Sequence, residues 1–198
     1  MIDKKIRQKL LSTVINFAET MIITMFVVCL IFTYIVKITT INGESMMNTL
    51  MPDDRIVITA WYNSPRQGDI VVINAAKSVT IGENGELVTG KGLRHNIVKR
   101  IIATEGQSVD IDFEKGIVFV DGKALNEPYI LGFTHRDEGA FTGKYPVTVP
   151  EGYVFVLGDN RINSRDSRSD EIGFVDVDNI TGKIIMRIFP LKSFGLVE

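Results

Sequence analysis

The chain has 198 residues, a formal net charge of −2 and a single cysteine, Cys29. This length suffices for one ordinary domain or a small two-lobed one, and the near-neutral charge argues against general nucleic-acid binding. One cysteine excludes an intramolecular disulfide or a cysteine-based metal framework. The two histidines, His95 and His135, are too few and too far apart in sequence to indicate a zinc site.

A long apolar segment dominates the N-terminal region. Residues 10–36 contain one formal charge, Glu19, and residues 17–36 have about the length needed to cross a hydrocarbon core of ~30 Å. The run 21–32 is apolar on all sides, which distinguishes it from an amphipathic surface helix. We therefore predict a transmembrane anchor over residues 10–37, preceded by a cytoplasmic tail over residues 1–9.

The alternative for this segment is a cleaved export signal. Its basic start fits a signal peptide, but the apolar run is too long. In addition, Val36-Lys37-Ile38 stands where a cleavage site with small residues in an Ala-x-Ala-like pattern should follow. Lys37 alone follows the span closely, so the positive-inside rule places the N-terminus in the cytoplasm and residues from about 38 onward outside. The basic residues that precede the span are Lys4, Lys5, Arg7 and Lys9.

Beyond Arg55 the sequence changes to short β-branched runs bounded by Gly, Asp, Asn or Pro. No helical periodicity lasts ten residues there, so the predicted fold class is all-β. Asp121-Gly122 is typical of a hairpin turn. The predicted strands cover residues 56–61, 69–73, 97–102, 108–113, 117–120, 153–157 and 183–189.

Two polar regions interrupt these strands. Residues 77–95, rich in Lys, Ser, Gly and Glu, are interpreted as a solvated loop, and residues 123–150 as loop-rich. We predict a β core over residues 38–106 and 151–198, with an inserted β-hairpin subdomain over residues 107–150.

Lys99 lies inside an otherwise apolar strand, between Ile97 and Ile101 on its own face. Such a setting desolvates the amine and lowers its pKa from a free value of ~10.4. A neutral lysine can accept the proton of a serine hydroxyl, as in Ser-Lys catalysis. The alternatives are a snorkelling lysine on an edge strand and, for Ser45 in its Gly- and Asn-containing stretch, an ordinary turn serine.

The stretch 158–168 contains two Asp, three Arg and two Ser directly after a predicted strand. Such a loop can form bidentate Asp–Arg pairs and build a rigid wall. The alternative is a polar turn, but this density of charge exceeds what a turn needs.

From the anchor to about Pro190 the chain resembles the type I signal peptidases, membrane-bound serine proteases that remove signal peptides from exported proteins. Four short sequence motifs, here called boxes, carry the resemblance in chain order, and the last of them is the most specific. Gly182-Lys183, which precede an apolar strand, also fit the family pattern. The boxes are Ser45-Met46-Met47-Asn48-Thr49-Leu50, Gly68-Asp69-Ile70-Val71-Val72, Val98-Lys99-Arg100-Ile101-Ile102 and residues 158–168.

This resemblance implies that Ser45 is the nucleophile and Lys99 the general base, with Ser164 hydrogen-bonded to the Lys99 amine. The salt bridges that brace the site would come from Asp159, Asp166, Arg100 and Arg168. The shallow pockets for small side chains would be lined by Ile41, Met46, Leu50 and Val98.

The resemblance also implies an enzyme of the cell membrane that needs no metal or cofactor. Its substrates would be signal-peptide-bearing precursors such as Ala-x-Ala precursors, and it would contact lipid and lie near the secretion translocon. In some family members a serine hydroxyl two residues before the nucleophile is the second oxyanion donor; Gly43 stands at that position here, so the resemblance assigns only the Ser45 backbone N–H as a donor. Two further departures are Asn48 in place of the usual proline and residues 103–107 in place of a Gly-x-Pro-Gly-Asp turn.

Three other functions fit parts of the sequence. A Ser-Lys self-cleaving repressor-type protease is disfavoured by the membrane span and by the stretch 158–168. An anchored, non-catalytic assembly factor or chaperone of the same fold is disfavoured because both Ser45 and Lys99 are present. A simple anchored β binding domain would leave the four boxes unexplained.

Overall fold

The computed structural model describes residues 4–60 and 62–197. The chain divides into two compact units, Met1–Lys37 and Ile38–Glu198.

The first unit contains the helix α1 (Lys4–Tyr34). Within it, Ile6–Tyr34 is long and apolar enough to cross a membrane, which is consistent with the predicted anchor. The helix ends at Tyr34 rather than at residue 37, because the β-branched residues that follow favour the extended strand Val36–Thr40.

Across the described residues the rest of the chain is β-rich, with two short 3-10 helices, Val177–Asn179 and Leu191–Ser193. The strands are β1 (Val36–Thr40), β2 (Arg55–Thr59), β3 (Ile70–Asn74), β4 (Lys77–Ile81), β5 (Leu87–Lys91), β6 (Asn96–Thr104), β7 (Ser108–Asp112), β8 (Ile117–Val120), β9 (Lys123–Ala124), β10 (Val147–Thr148), β11 (Tyr153–Leu157), β12 (Val175–Asp176), β13 (Ile180–Phe189) and β14 (Gly195–Leu196).

The strands form three sheets. The largest has the order β1-β2-β13-β3-β6-β11-β12, with β14 paired to β13, and the second has the order β10-β7-β8-β9. Strands β4 and β5 form a separate two-stranded sheet. The strand that carries Lys99, β6, pairs with β3 on one side and β11 on the other, so Lys99 does not lie on an edge strand.

All seven predicted strands are present, with ends shifted by at most three residues. Trp61, the predicted last residue of the first strand, lies outside the described residues. The turn at Asp121 and Gly122 is confirmed: both residues have positive φ, 51° and 73°, as a two-residue hairpin turn requires.

The prediction of a solvated loop over residues 77–95 is wrong, because β4 and β5 form an antiparallel hairpin there. All five residues of β5 are exposed, and its sequence from Leu87 to Lys91 does not alternate between apolar and polar residues, so periodicity does not reveal the strand. Backbone hydrogen bonds hold the hairpin instead: the Val79 N–H donates to the Ile172 carbonyl and the Val79 carbonyl accepts from Phe174.

An apolar cluster of β2, β3 and β13 fixes the stretch around Ser45. Met46 and Leu50 are almost completely buried in it, together with Ile41. Burying aliphatic side chains of this size stabilises each by about 1.5–3 kcal/mol. The serine is therefore attached to the sheet through the residues on either side of it.

Candidate active site

Ser45 lies in a tight turn whose backbone is hydrogen-bonded at several points. The Met47 N–H donates to the Glu44 carbonyl at 3.1 Å, and the Leu50 N–H donates to the Met46 carbonyl at 2.8 Å. The Ser45 carbonyl accepts the backbone N–H of Asn160 at 3.0 Å, which ties the turn to the loop 158–168. The hydroxyl is thus presented by a turn with little freedom to move.

Lys99 reaches this hydroxyl from the middle of the largest sheet. Its Nζ lies 2.7 Å from Ser45 Oγ and 3.0 Å from the Val98 carbonyl oxygen, and the residue is 3% exposed. Burial lowers the pKa of Lys99 from 10.5 to about 8; Asp166 opposes this shift and Arg168 adds to it. An amine with this pKa is partly neutral near physiological pH, as a general base must be.

Ser164 is buried beside this pair, but it does not make the predicted hydrogen bond to Lys99. Its Oγ has no hydrogen-bond partner among the described residues, because the Lys99 amine donates to Ser45 and Val98 instead. A Cβ placed on Gly158 would lie 2.1 Å from Ser164 Oγ and 2.5 Å from the Ser45 carbonyl oxygen. Because there is no room for a Cβ between the two serines, glycine is required at position 158.

The four residues that the resemblance implies as a brace form two buried ion pairs in the loop. Arg100 donates to both carboxylate oxygens of Asp159 at 2.9 and 2.8 Å, and Arg168 donates to both of Asp166 at 2.8 and 2.9 Å. Burial pushes the pKa of Asp166 up, but the Arg168 charge and the hydrogen bonds outweigh it and leave the pKa below its ordinary value. Asp166 also accepts the Gly158 N–H at 3.0 Å, so the pair of Asp166 with Arg168 holds Gly158 beside Ser45.

Residues 14–189 match the family described as signal peptidase, peptidase S26. A probable signal peptidase I-1 of Synechocystis sp. is 37% identical over 158 residues, which cover 78% of this chain and 72% of that protein. The chain belongs to the signal peptidase family, peptidase S26. A signal peptidase I P of Bacillus subtilis subsp. natto is 30% identical over 198 residues, 96% of each chain. A signal peptidase I crystal structure from Enterococcus faecalis V583 aligns with a TM-score of 0.42 and 26% identity, covering 61% of this chain and 97% of that one.

Like the signal peptidases it matches, the protein is a serine endopeptidase that removes signal peptides from precursor proteins. The non-catalytic assembly factor is not favoured. Among the described residues the protein has one helix of membrane-spanning length, which is consistent with membrane anchoring.

Four further residues of this signal peptidase support the loop and were not predicted from the sequence. Arg161 is fully buried; it donates to Glu127 Oε2 at 3.0 Å and to Thr134 Oγ1 at 2.8 Å. The Arg100 guanidinium lies 3.9 Å from the centre of the Tyr129 ring, a cation–π contact. No local signal reveals these pairs, because their partners are 27 to 34 residues apart in the chain.

Further hydrogen bonds join the same region to the loop and to the Ser45 turn. The Leu131 N–H donates to the Asp159 carbonyl at 2.7 Å, and Asn48 Nδ2 donates to the Ile130 carbonyl at 3.0 Å. Thr49 Oγ1 is hydrogen-bonded to Asp159 Oδ2. Asn48 has a φ of 80°, a conformation that the usual proline, fixed near −65°, cannot adopt.

The predicted pocket residues lie together next to Ser45. Ile41, Met46 and Leu50 are buried in one cluster, and Val98 is half-buried and packed against it. They belong to the apolar cluster of β2, β3 and β13, and Ile41, Met46 and Leu50 are at most 5% exposed in it. Their contact with substrate stays a prediction.

Proposed function

We propose that Ser45 and Lys99 are the catalytic dyad of this signal peptidase. The observation that carries the proposal is the 2.7 Å distance between Lys99 Nζ and Ser45 Oγ, with the lysine buried and its pKa lowered to about 8. Neutral Lys99 takes the Ser45 proton while Oγ attacks the carbonyl carbon of the scissile bond. The ammonium then returns a proton to the leaving amine, and a water activated in the same way hydrolyses the acyl-enzyme.

The Ser45 N–H is the proposed oxyanion donor. Within the part of the chain that the structure describes, this N–H donates to no protein acceptor. A backbone donor at the nucleophile is well placed for the charge that develops on the attacked carbonyl oxygen. Gly43 is exposed and brings no side-chain donor.

The residues around the dyad have two proposed tasks. Ile41, Met46, Leu50 and Val98 accept small side chains such as Ala at the first and third positions before the cut. The pairs of Asp159 with Arg100 and of Asp166 with Arg168 hold the loop so that Gly158 and Ser164 keep their places. Ser164, unpartnered in the structure, is proposed to orient the Lys99 amine once substrate excludes water.

We place the enzyme in the cell membrane, with the N-terminus in the cytoplasm and residues from 38 onward outside, near the translocon. The proposed catalytic core is 38–106 with 151–198, and the proposed insertion is 107–150, which contains the sheet of β7 to β10. Lipid contact is supported by exposed apolar side chains near the C-terminus. These are Phe189, Leu191, Phe194 and Leu196.

The test is cleavage of a purified Ala-x-Ala precursor by the detergent-solubilised enzyme. We expect Ser45→Ala to abolish cleavage and Ser64→Ala, at an exposed serine, to leave it unchanged. Both variants should melt at the temperature of the unmodified protein. Cleavage by Ser45→Ala at more than a trace would assign the nucleophile to another residue.

A further inference from the structure

A polar cavity of about 510 Å³ borders the loop 158–168. One wall is the segment Arg136, Asp137 and Glu138, which belongs to the predicted insertion. The other lining residues are Ile162, Asn163, Ser164, Arg165 and Ser169.

The cavity lies on the side of Ser45 that faces Glu44. Asn163, in the cavity wall, donates to Glu44 Oε2 at 3.1 Å, and Asn160 Nδ2 donates to the Glu44 carbonyl at 3.0 Å. Ser164, in the same wall, approaches the Ser45 carbonyl oxygen across Gly158. A peptide bound at Ser45 therefore has this cavity at one end of its path.

The two walls are joined by backbone hydrogen bonds and do not depend on a ligand for their shape. The Ala140 N–H donates to the Arg168 carbonyl at 2.9 Å, and the Asp170 N–H donates to the Glu138 carbonyl at 3.4 Å. Glu138 is half-buried; burial raises the pKa of its carboxyl, while Arg168 opposes that shift. This carboxylate is partly shielded from water and available to a polar partner.

Ser164 connects this wall of the cavity to the Ser45 region. The residue is only 5% exposed and its Oγ, which has no hydrogen-bond partner among the described residues, is enclosed by the protein, so the other polar side chains of the walls are those that a ligand can reach. A peptide backbone supplies both donors and acceptors for them.

One side of Ser45 is apolar and the other is polar, and the signal peptide and the mature chain of a precursor differ in the same way. The cluster of Ile41, Met46 and Leu50 is apolar, which suits the signal peptide before the scissile bond. The cavity is polar, with carboxylate and guanidinium groups on its walls, which suits the soluble mature chain after the bond. We propose that this cavity binds the first residues of the mature chain and selects their charge. This inference rests on the proposed Ser45 nucleophile.

The test uses three precursors with one signal peptide and Ala at the first and third positions before the bond. They carry Ser, Lys or Asp at the first two positions after it. We expect Glu138→Gln to raise KM roughly two- to five-fold for the Lys precursor alone, and Arg136→Gln to do so for the Asp precursor alone. Glu83→Gln and Arg94→Gln, exposed residues outside the cavity walls, are the charge-matched controls.

The proposal is overturned if either cavity variant changes all three precursors equally, because the residue would then act on the dyad and not on the substrate. It is also overturned if neither variant changes any of them. Cleavage of the Ser precursor by the unmodified enzyme, with none by Ser45→Ala, establishes the proposed function whatever the cavity variants do. The two proposals therefore fail separately.

Discussion

Gly158→Ala tests whether the space between the two serines is required. The added Cβ would lie 2.1 Å from Ser164 Oγ and 2.5 Å from the Ser45 carbonyl oxygen, where ordinary contact begins at 3.4 Å. The Ser164 side chain can rotate, but the Ser45 carbonyl is backbone and accepts the Asn160 N–H, so the nucleophile turn must move by about 1 Å. A misplacement of that size costs about 10²-fold in rate.

The assay is kcat/KM on an Ala-x-Ala precursor, together with a melting curve. We expect a loss of about 10²-fold, with an overpacking cost of about 1–3 kcal/mol in stability. Gly195→Ala is the control, because a Cβ there meets nothing within 4 Å. A Gly158→Ala enzyme with unmodified kcat/KM would refute the geometry of the dyad and of Ser164.

Three further predictions concern the loop, the turn and the membrane. Asp166→Ala leaves buried Arg168 without its carboxylate, so activity and melting temperature should fall together, with a stability loss of about 3–5 kcal/mol; unchanged melting would show that the pair is dispensable. Asn48→Pro should destabilise the protein by more than about 1 kcal/mol in denaturant titration, because proline cannot adopt a φ of 80°, and a more stable variant would contradict this conformation. Protease added to spheroplasts should digest the chain beyond residue 38 and spare the N-terminus; protection of the β-rich unit would reverse the proposed orientation.

The sequence predicts those parts of the fold that are β-branched strands bounded by turn residues, or turns whose backbone needs positive φ. The strand of Lys99 is β-branched and ends in glycine-containing turns, and Asp121-Gly122 needs positive φ. The burial of Lys99 follows from its apolar neighbours in the strand and is confirmed by its 3% exposure.

The parts that the sequence does not predict depend on contacts between distant segments. The hairpin of β4 and β5 has one fully exposed strand and is held by the backbone of residues 172–174. The pairing of Arg161 with Glu127 joins two regions that each look like polar loop. The predicted hydrogen bond of Ser164 to Lys99 is absent from the structure, because the Lys99 amine donates to Ser45 Oγ and to the Val98 carbonyl, a choice that residue types alone do not reveal.

The most direct measurement of the central claim is the pH dependence of kcat/KM for the unmodified enzyme and for Lys99→Arg. Because folding lowers the pKa of Lys99 to about 8, the neutral and active form gains population as pH rises. The rate should therefore climb about tenfold per pH unit below 8 and level off above it. Lys99→Arg should be inactive at every pH, since guanidinium keeps its proton. A flat profile from pH 6 to 9, or an Arg variant near the unmodified rate, would show that Lys99 is a structural cation and not the base.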